Sequence, residues 1–219
     1  MINLIECERK LDFTALAKEQ KDLAKIVRKY DDPPYLSPIV TGVDVAYAED
    51  LAAGCAVVIN NNTKEIIDSS TVIREIESDY IPGFFQIREG PILIELVQNL
   101  KIPGIILVDG NGILHPRRFG LASYLGVKMN VQTIGVAKKL MLGKIGPRLE
   151  NSVDVIHNNE VLGRGLWLKE RRPIYVSIGN RISLDSAVKV VIDNSVEGYP
   201  EVLRQAHKMS KQVLSNEKN

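Results

Sequence analysis

The sequence predicts an α/β fold built on a mixed sheet, an antiparallel meander followed by parallel strands, flanked by helices. Three observations predict it. Residues 38–76 hold three runs dense in apolar and β-branched residues, joined by short polar connections, which is how consecutive antiparallel strands read. From residue 89 onward, short apolar runs alternate with helical patterns, and that alternation implies parallel pairing with both sheet faces covered. Helical patterns also lie near both ends of the chain.

The elements follow in order. Residues 14–29 set Leu16, Leu23, Ile26 and Val27 at helical spacing among charged residues, with Thr14 as the expected cap. The Asp31-Asp32-Pro33-Pro34 cluster stops that helix. Strands are expected over 38–48, 53–60 and 64–76, with the Asn60-Asn61-Asn62 run as a turn. Residues 89–100 read as a helix, 105–108 as a short buried strand ending at Asp109, 118–125 as a short helix and 131–136 as another buried strand. Residues 153–157 and 161–168 are expected to pair as a hairpin across Asn158-Asn159. A strand at 174–177, a helix at 184–192 capped by Ser183 and a last helix at 199–214 complete the set, with 215–219 expected to fray. A mixed five-stranded sheet of the ribonuclease H type has this order of elements.

The 219 residues are read as one domain, with a motif-bearing core at 38–192. A chain of this length buries roughly 70% of its unfolded surface, so it needs no staple to fold. Cys7 and Cys55 have no paired spacing, which excludes a zinc motif and a disulfide framework. The net charge of +1 leaves nucleic-acid binding to local basic groups rather than to the total. No apolar run is long enough to span a bilayer, and the opening MINLIECERKLD lacks a basic segment followed by a long apolar core. A cytoplasmic protein with no membrane partner is expected.

Three acids stand out. Asp44, in TGVDVAYA, interrupts an apolar strand, a costly place for a carboxylate unless it is paired or binds metal. Asp109 ends the IILV run and opens DGNG, at the carboxyl end of a buried strand where α/β sheets put their sites. Glu89, in IREGP, starts a helix. Each has a structural reading as well: an edge acid for Asp44, a turn acid for Asp109, a dipole-favoured first-turn acid for Glu89. Together they suit Mg2+, a hard cation that takes few carboxylates and keeps its waters. The segment YIPGFFQIREGP crowds Tyr80, Phe84 and Phe85 around a Pro-Gly turn. Such aromatics can stack on bases or wedge into a duplex, or be core, the commoner fate of phenylalanine.

The blocks YIPGFFQIREGP, VDGNGILHPRRFGLASYLG and TIGVAKK, with GVD upstream, resemble the endonuclease V family from about residue 40 to 192. The resemblance implies a ribonuclease H-like fold and an Mg2+-dependent endonuclease, with Mn2+ as a substitute metal. Its substrate is expected to be DNA carrying deoxyinosine or other deaminated bases, cut at the second phosphodiester bond on the 3′ side. It implies Asp44 and Asp109 as metal ligands, with Glu89 completing the acidic centre. Tyr80 matches the wedge of the turn that contains Pro82. Gly83, Phe84, Gly110 and His115 match positions around a pocket for a flipped base, whose extrusion costs a few kcal/mol. Lys138 matches a lysine near the scissile phosphate, or is a solvated surface lysine. Arg88, Arg117 and Arg118 are candidates for backbone phosphates, as are Lys144, Arg148, Arg171 and Arg172, the last four being equally readable as a charged face. A monomer is the expected state.

Three positions depart from the family pattern. SIGNRISLDSA sets Asn180 where the family carries a histidine and Ile178 where it carries a proline, and Tyr124 stands where a second histidine is usual. Asparagine cannot act as a general base near neutral pH, though it can offer a carbonyl to a hard metal. Asn180 is therefore expected at the catalytic centre, with weakened chemistry. Asp185 is read as a first-turn acid, or as a further carboxylate nearby. An endoribonuclease specific for inosine and a lesion-binding protein without cleavage are the alternative readings.

Overall fold

The computed structural model describes residues 12–34, 38–76, 79, 81–169 and 172–217. Tyr80, Arg171 and Cys7 lie outside the described residues. In chain order the elements are α1 (Phe13–Ala24), β1 (Ile39–Ala48), β2 (Leu51–Asn60), β3 (Ile66–Glu75), α2 (Phe85–Arg88), α3 (Gly90–Gln98), β4 (Ile105–Asp109), α4 (Leu121–Met129), β5 (Thr133–Ala137), β6 (Lys144–Leu149), β7 (Ser152–His157), β8 (Glu160–Leu166), β9 (Ile174–Asn180), α5 (Leu184–Asn194), β10 (Ser195–Val196), β11 (Tyr199–Pro200) and α6 (Glu201–Glu217).

Among the described residues, nine strands form one sheet in the order β3-β2-β1-β4-β5-β9-β8-β7-β6. β3-β2-β1 is the antiparallel meander, and β4 and β5 run parallel to β1. These five strands are the expected ribonuclease H-like arrangement. The other four extend the sheet by antiparallel pairing, so five strands understate it. β10 and β11 pair separately.

Two apolar layers sandwich the central strands. On one face α3 and α4 set Ile92, Leu93, Leu96 and Leu125 against Val43, Ile106 and Val108. On the other, α5 and α6 set Val190, Val191, Val202 and Leu203 against Val40, Ile105 and Leu107. Strand alternation sends odd and even positions to opposite faces, so β1 and β4 are buried on both. Truncating one such leucine to alanine costs about 2–5 kcal/mol. Gly42 is required where α6 crosses β1, because a Cβ there would lie 2.3 Å from the Val202 carbonyl carbon.

Several expected boundaries shift. α1 is capped by Asp12, whose carboxylate accepts from the Thr14 and Ala15 amides, not by Thr14, and it ends at Ala24 rather than 29. α4 starts at Leu121, and residues 115–120 before it form a turn-rich loop. The last helix starts at Glu201, because Tyr199 and Pro200 pair with β10, and it continues to Glu217 instead of fraying at 215. The hairpin across Asn158-Asn159 forms, with both asparagines at positive φ as a tight turn demands. Ser183 caps α5 by accepting from the Ser186 amide.

Candidate active site

The register of β1 against β4 brings two of the acids together. Val43 pairs with Val108, so Asp44 and Asp109 are the next positions along two parallel strands. Neighbouring strands lie about 4.8 Å apart, and both carboxylates point to the face covered by α6. Asp44 is largely buried, with its side chain 10% exposed, and Asp109 stands at the strand end with 27%.

α6 supplies a group that sequence reasoning missed. His207 Nδ1 lies 3.0 Å from Asp44 Oδ2. An ionised carboxylate only accepts, so Nδ1–H donates and Nε2 is left on the exposed side of the ring. The Ser210 hydroxyl, one turn on, is 3.0 Å from the same oxygen and from the His207 carbonyl, and its single hydrogen serves one of them at a time. On Asp109, the Lys138 ammonium sits 2.8 Å from Oδ2 and 5.0 Å from the centre of the Tyr199 ring. The Tyr199 hydroxyl is buried beside Asp109 and has no partner at ordinary hydrogen-bonding geometry among the described residues. Burial first, then the Asp109 and Asp44 charges, hold its proton on.

Glu89 caps the space from the α2–α3 junction. Burial pushes its carboxyl up to about 7, a hydrogen bond from Tyr47 opposes the rise, and the charges of Asp44 and Asp109 add to it. Those two charges act on Glu89 because it shares the cavity lining with Asp109 and is hydrogen-bonded to Tyr47, three residues beyond Asp44 on β1. The Tyr47 hydroxyl donates to Glu89 Oε1 at 3.0 Å, while the Arg88 guanidinium lies 3.9 Å over the Tyr47 ring. Arg88 Nε is buried without a partner among the described residues. Cys55, opposite Asp44 in the ladder, is fully buried and its thiol is pushed up to about 12, chiefly by burial, which makes it inert.

A cavity opens beside Asp109. It encloses about 420 Å³ including its mouth, and its lining includes Gly83, Phe85, Glu89, Gly110, His115 and Met141. Gly83 adopts φ +81°, and its carbonyl is held from behind the cavity by Arg117 Nη2 at 2.6 Å. His115 is 3% exposed, and burial, then the Arg117 charge, push its pKa down to about 4. Its Nδ1 accepts from the Arg117 amide at 3.3 Å, which leaves the proton of the neutral ring on Nε2. Phe84 packs behind the wall with Arg117 stacked 4.2 Å over its ring. Pro82 is exposed on the turn before Gly83. Gly110 has room for a Cβ, its nearest neighbour lying at 3.6 Å, so the fold alone does not demand glycine there. Gly135 on β5 does face a steric demand: a Cβ would strike the Gly112 amide at 2.3 Å, where the DGNG loop crosses the strand.

Asn180 does not join these groups, which corrects the expectation for it. β9 runs antiparallel to β5 and pairs Asn180 with Thr133, the end of β5 farthest from Asp109. Its side chain is 3% exposed and fully engaged, accepting from the Arg28 amide at 3.0 Å and donating to the Gly126 carbonyl at 2.8 Å. Asp185 stays in the first turn of α5 and pairs with Arg164 at 3.2 Å. Tyr124 packs on Phe119 with ring centres 6.4 Å apart. Arg118 pairs with Glu160 at 3.3 Å. Lys144 and Arg148 belong to β6, five strand spacings or roughly 24 Å from β4. Arg148 stacks 4.2 Å over Trp167, and Arg172 is exposed before β9.

Among the described residues, no three histidine, cysteine or acidic side chains close into a preformed metal cage. Asp44 and Asp109 instead form an open pair of hard oxygen donors. That set fits Mg2+, which binds through one or two carboxylates and leaves the rest of its shell to water and phosphate. The Lys138 ammonium on Asp109 marks a place where a cation already sits.

The family model described as Endonuclease V matches residues 21–208. Endonuclease V of Dictyoglomus thermophilum is 37% identical over 213 residues, covering 94% of this chain and 93% of the relative. The crystal structure of endonuclease V from Streptomyces avermitilis superposes with TM-score 0.85 at 32% identity, over 94% of each chain. Endonuclease V of Ciona intestinalis, solved with a 24mer DNA containing an inosine followed by a ribo-adenosine, gives 0.83 at 29% identity, over 93% of this chain and 98% of that one. Among the described residues, no helix is long and apolar enough to cross a membrane.

Proposed function

Because the chain belongs to the endonuclease V family and is an endonuclease, we propose that it repairs deaminated adenine, cutting DNA at the second phosphodiester bond 3′ to deoxyinosine with Mg2+, or Mn2+ in its place. The observation that carries this reading is the pairing of Asp44 and Asp109 on one face of neighbouring parallel strands, with the cavity of Gly83 and His115 opening beside Asp109. Held by these two carboxylates, the metal would polarise the phosphate and offset charge on the leaving oxygen.

The protein's own groups divide the remaining work. Glu89, buried beside the pair and holding its proton more tightly than a free carboxylate, is placed to exchange a proton with a water at the site. His207 has its Nδ1–H tied to Asp44, so Nε2 faces outward to a water or a phosphate oxygen. Lys138 brings a positive charge to the phosphate beside Asp109. The cavity offers neutral His115 and backbone groups to the carbonyl and ring N–H of hypoxanthine, while Phe85 and Met141 present apolar surface to the base. Tyr80 is proposed as the wedge on the strength of its motif, and Arg88 and Arg117 as groups near the backbone.

The test is cleavage of an inosine-bearing DNA strand with Mg2+ and with chelator. A metal-dependent product ending one bond beyond the inosine is expected, and a product at another bond or one resistant to chelator contradicts the assignment. The ribo-adenosine in the DNA bound by the Ciona relative keeps an inosine-specific endoribonuclease as the second reading. A matched RNA strand in the same assay measures it. The non-cleaving alternative rested on Asn180, and its remoteness from the acids removes that ground.

A further inference from the structure

α1 has an unusual docking contact. Its one fully buried side chain is the amide of Gln20, 2% exposed. A helix normally docks through an apolar stripe, and burying an amide is costly unless every polar atom finds a partner. Gln20 finds them on both walls of the cavity described above. Nε2 lies 3.1 Å from the Gly83 carbonyl and 3.0 Å from Gln86 Oε1 on one wall. It also lies 3.2 Å from the Phe119 carbonyl on the other wall, and Oε1 accepts from Arg117 Nε. Arg117 in turn donates to the Gly83 carbonyl and, through its amide, to His115. The two walls come from segments some thirty residues apart, and both are tied to this one side chain from behind. Two amide hydrogens face three acceptors, so Gln20 holds a compromise between the walls rather than serving either alone.

We propose that Gln20 is a positioning residue that sets the separation of the Gly83 and His115 walls and thereby the discrimination of the flipped base. It lies one residue before the span matched by the family model. The inference rests on the reading of this cavity as the base pocket. It makes α1 part of the recognition apparatus, although no atom of Gln20 lines the cavity.

The experiment compares wild type, Gln20→Met and Leu23→Ala. Methionine keeps the volume and removes the hydrogen bonds, while Leu23→Ala loosens α1 away from the cavity. Dissociation constants for an inosine-bearing strand and its adenine counterpart are measured without metal, and single-turnover cleavage is measured with Mg2+ at saturating strand. The preference for inosine should fall about tenfold in Gln20→Met and stay within about twofold of wild type in Leu23→Ala, with the saturated rate of Gln20→Met also within about twofold. Wild type that binds both strands alike overturns the pocket reading and this inference together. Wild type that prefers inosine, with Gln20→Met keeping the full preference or Leu23→Ala losing as much, overturns the inference alone. Hydrogen exchange on wild type gives a check independent of any variant: the inosine strand should slow exchange of the α1 amides around Gln20 where the adenine strand does not, and equal protection by both strands overturns the role.

Discussion

Asp109 and Asn180 lie at opposite ends of the central strands, and the polar groups around them are in opposite condition. Around Asn180 the partners are in place: it accepts from Arg28 and donates to Gly126, Gln132 donates to the Pro33 and Arg181 carbonyls at 2.9 Å, and the Asp31 carboxylate accepts from Ser183 and Ser186. Around Asp109, three acids lie near one another, Glu89 holds its proton up to about 7, the Tyr199 hydroxyl is buried beside Asp109 with no partner at ordinary hydrogen-bonding geometry, and Arg88 Nε is buried with none among the described residues. A saturated buried network stabilises one arrangement of the chain. A frustrated one costs stability, and such sites are where proteins put chemistry. The two ends should therefore respond oppositely to truncation.

The largest effect is expected at the acids. Asp44→Ala or Asp109→Ala should lower single-turnover cleavage of an inosine strand by on the order of 10³-fold or more. Thermal unfolding of Asp109→Ala without metal should show unchanged or higher stability, because a like charge near Asp44 and Glu89 has been removed. His207→Ala should cost about 10²-fold in the same assay, as loss of a proton-handling group does. At the other end, Asn180→Ala should leave cleavage within about twofold and cost about 1–3 kcal/mol in denaturant unfolding, the penalty of stranding its buried partners. Asn180→His should destabilise as well, since a larger ring has to enter a site where the side chain is 3% exposed and both ends of the amide are bonded. A large cleavage defect in either Asn180 variant at a temperature where it is folded would erase the contrast.

The smallest effect is in pH. Glu89 releases its proton near 4.5 when unfolded and near 7 when folded. Between those values the folded state binds more protons, so metal-free stability should fall as pH rises from about 5 to 7, by up to about 3 kcal/mol. Glu89→Gln should flatten that slope in pH-resolved denaturant unfolding.

The site was legible where a residue defies its local environment. Asp44 and Asp109 interrupt or end apolar strands, and that cost can be read from a single chain. His207 was not legible, because on an amphipathic helix it looks like any solvated residue, and nothing in α6 says which strand lies beneath it. Gly42 on β1, where α6 crosses, is the one local trace of that packing. Asn180 carries the opposite lesson: its motif puts it at the chemistry, and the antiparallel direction of β9 takes it to the far end. The meander and alternating α/β order emerged from periodicity, whereas β6 did not. KIGPRL holds Gly146 and Pro147, which argue against a strand except at a sheet edge, where β6 lies.

The most direct test is anomalous diffraction from crystals of the protein with an inosine-bearing strand and Mn2+. The expected result is a metal peak within ligand distance of both Asp44 and Asp109, with the inosine base in the cavity beside Gly83 and His115. A peak on other residues, with both carboxylates unliganded, would contradict it.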